Sequence, residues 1–123
     1  MELRALGSTG IEVSVIGLGT VKLGRDQQVK YPAGFRIPDD AAVKELLALA
    51  WELGINFIDT APAYGTSEER LGQLLPKDRD WVIMTKVGEI FENGVSRFDF
   101  SAAHTRQSVE RSLKRCLLYT SPS

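Results

Sequence analysis

Three residues have the types and the spacing for chemistry. Asp59 ends the apolar run INFIDT, Tyr64 follows five residues later in the Pro/Gly turn APAYG, and Lys86 ends a second apolar run, WVIMTK, twenty-two residues beyond the tyrosine. A carboxylate, a phenol and an ammonium take, give or steady protons, and their placing at strand ends and in a loop points to chemistry more than to packing. Each also has an ordinary reading by itself. Tyr64 suits a half-buried turn, Asp59 can accept hydrogen bonds in an Asx turn, and Lys86 can pack its stem and hold its head in water.

The elements that must position these residues can be read from the pattern. Residues 3–14, LRALGSTGIEVS, are two extended pieces around Gly7, Ser8, Thr9 and Gly10, which predicts a β-hairpin. VSVIGLGT, β-branched at Val13, Val15 and Ile16, reads as a strand buried on both faces. Residues 21–38 lack periodicity and are too long for an idle connection, so a functional loop is expected there. Asp39 or Asp40 then caps a helix with Val43, Leu46, Leu47, Ala50 and Leu53 inward, and Gly54 stops it. INFIDT is the next strand. A capping box, Thr66 to Glu69, opens a short helix with Leu71, Leu74 and Leu75 inward and Pro76 closing it. WVIMTKV is a further strand, and a polar loop over 88–100 leads to Ser101 as N-cap of a last helix. Its inward residues are predicted as Val109, Leu113 and Cys116, with Arg111, Lys114 and Arg115 suiting its C-terminal half. Trp51 and Trp81 are read as packing residues.

A hairpin followed three times by strand and helix, with strands apolar enough to need cover on both sides, is a parallel α/β pattern. A doubly wound sheet and a (β/α) barrel both satisfy it, and both place ligands at the carboxyl ends of the strands. Gly19, Thr20, Asp59 and Lys86 fall there. GLGTVKLG, with Gly17, Gly19 and Gly24, misses the G-x-G-x-x-G spacing, and a loop follows it, so it does not decide for the doubly wound sheet.

Fifteen basic and sixteen acidic residues give a net charge of -1 with no basic cluster, which argues against a nucleic-acid partner or a charged membrane surface. No run reaches the roughly 18 apolar residues that span a bilayer. One cysteine, Cys116, cannot form an internal disulfide, and MELRALGSTG lacks the layout of a secretory signal, so the cytoplasm is the expected compartment. No cluster of His or carboxylates has metal-ligand spacing, which leaves a metal-dependent barrel hydrolase the weakest alternative.

From about Met1 to Arg115 the chain resembles the N-terminal part of aldo-keto reductases, (β/α)8 barrels that reduce carbonyls with NADPH or NADH. The resemblance rests on LGSTGIEVS, IGLGT, GINFIDTAPAYGTSEERLGQLL, VIMTK and TRQSVERSLKR. It implies an α/β fold, the N-terminal portion of such a barrel with a leading hairpin and about three β/α units. It also implies an Asp, Tyr, Lys and His tetrad, the first three falling on Asp59, Tyr64 and Lys86. Gly19, Thr20 and Val21 are implied near the nicotinamide and substrate, and Asp59 beside the nicotinamide ribose. The fourth member should follow the last helix, where this chain reads CLLYTSPS. Residues 116–123 are therefore expected to be an atypical tail left by truncation, and the chain by itself to be inactive. His104, near the start of the last helix, is read as a surface residue at the end opposite the site.

Hydride transfer to a carbonyl leaves an alkoxide that needs a proton. A phenol donates one if its pKa is brought down from about 10. Lys86 would do this, since roughly 3 to 4 kcal/mol of preference for phenolate lies within reach of one close, poorly solvated cation. Asp59 would hold the ammonium. The substrate implied is a small carbonyl compound and the cofactor NADPH, with NADH not excluded. The competing reading is a noncatalytic, reductase-like binding or regulatory module.

Overall fold

The computed structural model describes residues 1–27 and 35–116. Gly7 and Gly10 take φ of 56° and 78°, and the chain folds back between β1 (Leu3–Ala5) and β2 (Glu12–Ser14), antiparallel with Leu3 opposite Ser14. This is the expected hairpin. The buried strand expected over VSVIGLGT is instead broken in two. The Ser14 hydroxyl donates to the Ile16 carbonyl at 2.6 Å and the Ser14 N–H donates to the Asn56 side chain at 2.8 Å, which ends β2 and turns the chain. Val15 and Ile16 are exposed as a result.

Pairing resumes in β3 (Leu18–Gly19), which joins β4 (Phe57–Asp59) and β5 (Val82–Met84) in a parallel sheet of order β3-β4-β5. The register sets Gly19 beside Asp59 and Asp59 beside Met84, so the three strands end level with one another. After β3 a single 3-10 turn, Val21–Leu23, leads into the connection, of which residues 28–34 lie outside the described residues.

Helix α1 (Asp40–Glu52) returns the chain from β3 to β4. The Asp39 carboxylate accepts from the Ala42 N–H at 2.8 Å and caps its start, while Gly54 at φ 89° turns the chain away at its end. Val43, Leu47 and Ala50 are buried, but the predicted inward residues Leu46 and Leu53 are exposed. Helix α2 (Ser67–Leu74) follows β4, with Leu71 and Leu75 buried. Its expected capping box does not form: the Thr66 side chain makes no cap. The first helical residues Ser67 and Glu68 are drawn into buried contacts instead, and the helix entry is set by those.

Leu23, Val43, Leu47, Ile58, Leu71 and Leu75 form the core, with Leu18, Leu74, Trp81 and Ile83 packed on it. The Trp51 and Trp81 rings meet at 5.0 Å and 59°, and the Arg79 guanidinium lies 5.7 Å from the Trp51 ring.

Residues 88–100, expected as a loop, contain a second hairpin of β6 (Glu89–Glu92) and β7 (Val95–Phe98). Its turn, Asn93-Gly94, has both φ values positive, at 53° and 75°, the geometry that twists in the sense the strands require. Helix α3 (Ala102–Arg115) is capped by Ser101 as expected, its hydroxyl accepting from the His104 N–H at 3.2 Å. Of its three predicted inward residues only Cys116 is buried. Val109 and Leu113 are exposed, whereas Ser108, Ser112 and Cys116 are buried. Gly72 of α2 approaches so closely that a Cβ there would collide with the Arg115 carbonyl. Among the described residues no helix is long and apolar enough to cross a membrane.

The Cys116 thiol is pushed up to about 11, by burial first and then by the Glu68 charge. Its proton is held more tightly in the folded chain than at the ordinary value of 9.0. The associated stability is therefore whole below that value and lost as pH climbs through the folded one. We expect a disulfide reagent to label the native thiol slowly at about pH 8, with the rate rising as the solution approaches the raised value. Labelling as fast as that of free cysteine would contradict the burial.

Candidate active site

The site is built where β3, β4 and β5 end. The Thr20 N–H donates to the Asp59 carbonyl at 3.1 Å and the Thr60 N–H to the Met84 carbonyl at 2.8 Å, which carries the sheet's bonding just past its last paired residues. The chain then passes through the buried Ala61 and Ala63, and the Tyr64 N–H donates to the Ala61 carbonyl at 3.1 Å. This turn brings the phenol back over the strand ends. Gly65, at φ 59°, and Gly24 let the two loops touch backbone to backbone. A Cβ at either would collide with the other loop, on the Gly24 carbonyl or on the Tyr64 carbonyl and Ser67 nitrogen.

Lys86 lies just past β5, and its ammonium makes three bonds. It donates to Asp59 Oδ1 at 2.5 Å, to the Thr60 carbonyl at 3.1 Å and to Tyr64 Oη at 3.1 Å. That is the full complement of an ammonium and fixes its position. Burial pulls its pKa down, but the bonds to Asp59 and Tyr64 and their charges outweigh this and hold it above the ordinary 10.5. The Lys86 and Asp59 side chains are 45% and 38% exposed, so the pair contributes little to stability and much to placement. A cavity of about 330 Å³ opens beside Tyr64 and Lys86.

The structure thus brings Asp59, Tyr64 and Lys86 together. Gly19 borders them from the adjacent strand, and the space where its Cβ would stand is open. Thr20 is fully buried. Its hydroxyl donates to the Asp59 carbonyl at 2.9 Å and accepts from Ser67 Oγ at 2.8 Å, and Ser67 in turn lies 2.9 Å from Thr60 Oγ1. Val21 begins the 3-10 turn.

Sequence reasoning missed this hydroxyl chain and two charged anchors. Glu68, 1% exposed, accepts from Thr85 Oγ1 at 2.9 Å and Arg115 Nη1 at 3.2 Å, and so secures the residue before Lys86. Buried Arg25 donates to the Ala63 carbonyl at 3.1 Å and Glu89 Oε2 at 3.2 Å. Only Glu68 carried a signal, and its place in a helix's first turn suggested an exposed, dipole-favoured acid.

His104 is half-buried in the first turn of α3. Its expected position opposite the site is corrected, since a helix returning from the carboxyl ends of a parallel sheet starts at that end. It makes no side-chain bond to Asp59, Tyr64 or Lys86, whose partners are given above. Among the described residues no group of three His, Cys, Asp or Glu could hold a metal ion.

Comparison with known proteins identifies a match to the Aldo/keto reductase family over residues 15–120. The chain is 42% identical over 125 residues to L-galactose dehydrogenase of Arabidopsis thaliana, covering 96% of this chain and 35% of that protein. It is 42% identical over 95 residues to pyridoxal 4-dehydrogenase of Microbacterium luteolum, covering 75% and 25%. The chain therefore spans about a third or less of the length of these curated relatives. A solved structure from Pseudomonas aeruginosa that carries the aldo-keto reductase name superposes with a TM-score of 0.82 at 62% identity, over 94% of this chain and 42% of that one. An aldo-keto reductase from Bacillus halodurans, in its holo form, gives 0.75 at 31% identity, over 95% and 37%.

Proposed function

Because the chain belongs to the aldo/keto reductase family, we propose that it carries the proton-transfer half of an NAD(P)H-dependent reduction of an aldehyde or ketone. Its fold is part of a (β/α)8 barrel, which decides between the two architectures left open by the strand pattern. Tyr64 is the proton donor in this reading, and Lys86 and Asp59 are its charge partners. The observation that supports it is the Lys86 ammonium bonded at once to Asp59 and to the Tyr64 oxygen, at 2.5 and 3.1 Å, where the strands end.

Family members work with a nicotinamide cofactor, and the residues present fit one. The open space over Gly19 leaves its backbone approachable by a flat ring, and Asp59 is within the same row of strand ends. Gly19, Thr20 and Val21 would border that ring, Thr20 through its backbone since its hydroxyl is engaged within the protein. Bound there, a reduced nicotinamide would supply the hydride for the carbonyl carbon. As charge builds on the carbonyl oxygen, Tyr64 Oη gives it a proton, and the Lys86 cation steadies the phenolate left behind. Asp59 and the Thr60 carbonyl keep that cation from drifting into solvent. Run backwards, the same pair takes a proton from an alcohol, the direction in which the two dehydrogenase relatives are named. NADPH is the proposed form of the cofactor.

Activity is assigned to a complete barrel carrying this segment. Eight strands close such a barrel, while the described residues supply three parallel ones. We expect aldehyde-dependent loss of NADPH absorbance with the complete barrel, and neither turnover nor tight NADPH binding with the 123 residues alone. A complete barrel that reduces no carbonyl would overturn the reductase reading, and turnover by the short chain would overturn the need for the remaining units.

A further inference from the structure

The β6–β7 hairpin stands against the site on one face only. Its register sets Glu89 opposite Phe98 and Phe91 opposite Ser96, so these four side chains share a face. That face meets buried Arg25, whose guanidinium lies 3.7 Å from the Phe91 ring and bonds Glu89, which also accepts from Ser96 Oγ at 2.8 Å. The same Arg25 nitrogen donates to the carbonyl of Ala63, the residue before Tyr64. One guanidinium thus ties the hairpin to the tyrosine's loop.

Beyond β7 the chain returns to the site. The Asp99 N–H donates to the Gly88 carbonyl at 2.8 Å, and the Phe100 ring occupies the space that a Cβ on Gly88 would need, two residues past Lys86. Phe98 and Phe100 stack at 6.4 Å and 11° and, with Pro62 and Val87, wall the 330 Å³ cavity beside Tyr64. Their rings present apolar surface to that cavity, which an apolar occupant would cover. The charged groups of this wall are paired, Lys86 with Asp59 and Glu89 with Arg25. An anionic group on a substrate would find no uncommitted cation among the described lining residues.

We propose that the β6–β7 hairpin is the specificity element of this site, that Phe98 and Phe100 receive an uncharged aromatic or apolar substituent on the substrate carbonyl, and that Arg25 is the positioning residue that holds this wall against the tyrosine's loop. The proposal rests on the reductase reading above. It adds a substrate class that neither Asp59, Tyr64 nor Lys86 can select.

The test compares kcat/KM for benzaldehyde, propanal and 4-carboxybenzaldehyde in the complete barrel. Phe100→Ala should lower the benzaldehyde-to-propanal ratio by about 10-fold, the scale of one lost aromatic contact. Arg25→Met should lower the same ratio, and Arg25→Lys, which keeps the charge opposite Glu89, should restore part of it. Partial unfolding reduces all three rates together and leaves the ratios unmoved, so the ratios separate positioning from mere stability. Phe100 is exposed, and its variant carries the test if Arg25→Met fails to fold. Wild type should also prefer benzaldehyde over its carboxylated analogue. Ratios unchanged in both Phe100→Ala and Arg25→Met, or an equal rate with the anionic aldehyde, would overturn the proposal while leaving the reductase reading intact. Absence of all reduction by wild type would overturn that reading itself.

Discussion

Tyr64→Phe in the complete barrel is expected to lower kcat for aldehyde reduction by about 10³-fold, the middle of the range for loss of a positioned proton donor. The ring, its turn and its neighbours stay, because the backbone bond from the Tyr64 N–H to Ala61 and the glycine contacts behind it do not involve the hydroxyl. Cofactor affinity should be unchanged, and the loss should appear in kcat and kcat/KM alike, as expected when an interaction of the transition state alone is removed. Stopped-flow measurement of the hydride step, with cofactor binding followed separately, checks this. Turnover close to wild type would exclude Tyr64 as the acid.

Lys86→Met should cost on the order of 10²-fold in kcat, by removing a fixed charge from the developing phenolate while nearly conserving side-chain volume. The effect has a defined pH range. Burial lowers the Lys86 pKa, yet the bonds to Asp59 and Tyr64 prevail and raise it above 10.5. A cation with a raised pKa contributes fully below the ordinary value and is lost as pH passes the folded one. The Lys86 charge itself should therefore be present across the neutral range and be lost only above 10.5. A methionine variant as fast as wild type at neutral pH would mean that the ammonium does not steady the phenolate.

That Asp59, Tyr64 and Lys86 would meet was legible in the chain, because apolar runs end where parallel strands end, and level strands bring their last residues side by side. Helix caps were legible for the same local reason: Asp39 and Ser101 bond within three residues. The second hairpin carries a signal in Asn93-Gly94, but its flanking residues do not alternate cleanly. What could not be read was set by distance between elements. Hydropathy favoured Val109 and Leu113 as the inward face of α3, but the helix docks with Ser108 and Ser112 buried. Arg25 finds its partners 38 and 64 residues away, and Thr20 meets Ser67 across 47, separations at which residue type alone names no partner.

The contact between Trp51 and Trp81 gives the protein a built-in optical reporter. They are the chain's two tryptophans, and at 5.0 Å and a tilt of 59° the indoles couple as one chromophore. Coupled indoles at a fixed oblique angle produce a split band in far-ultraviolet circular dichroism, which vanishes when the rings part. One ring belongs to α1 and the other precedes β5, so the band reads the docking of that helix on the sheet. Neither ring lines the cavity beside Tyr64, so the signal follows unfolding and stays silent when that cavity is filled.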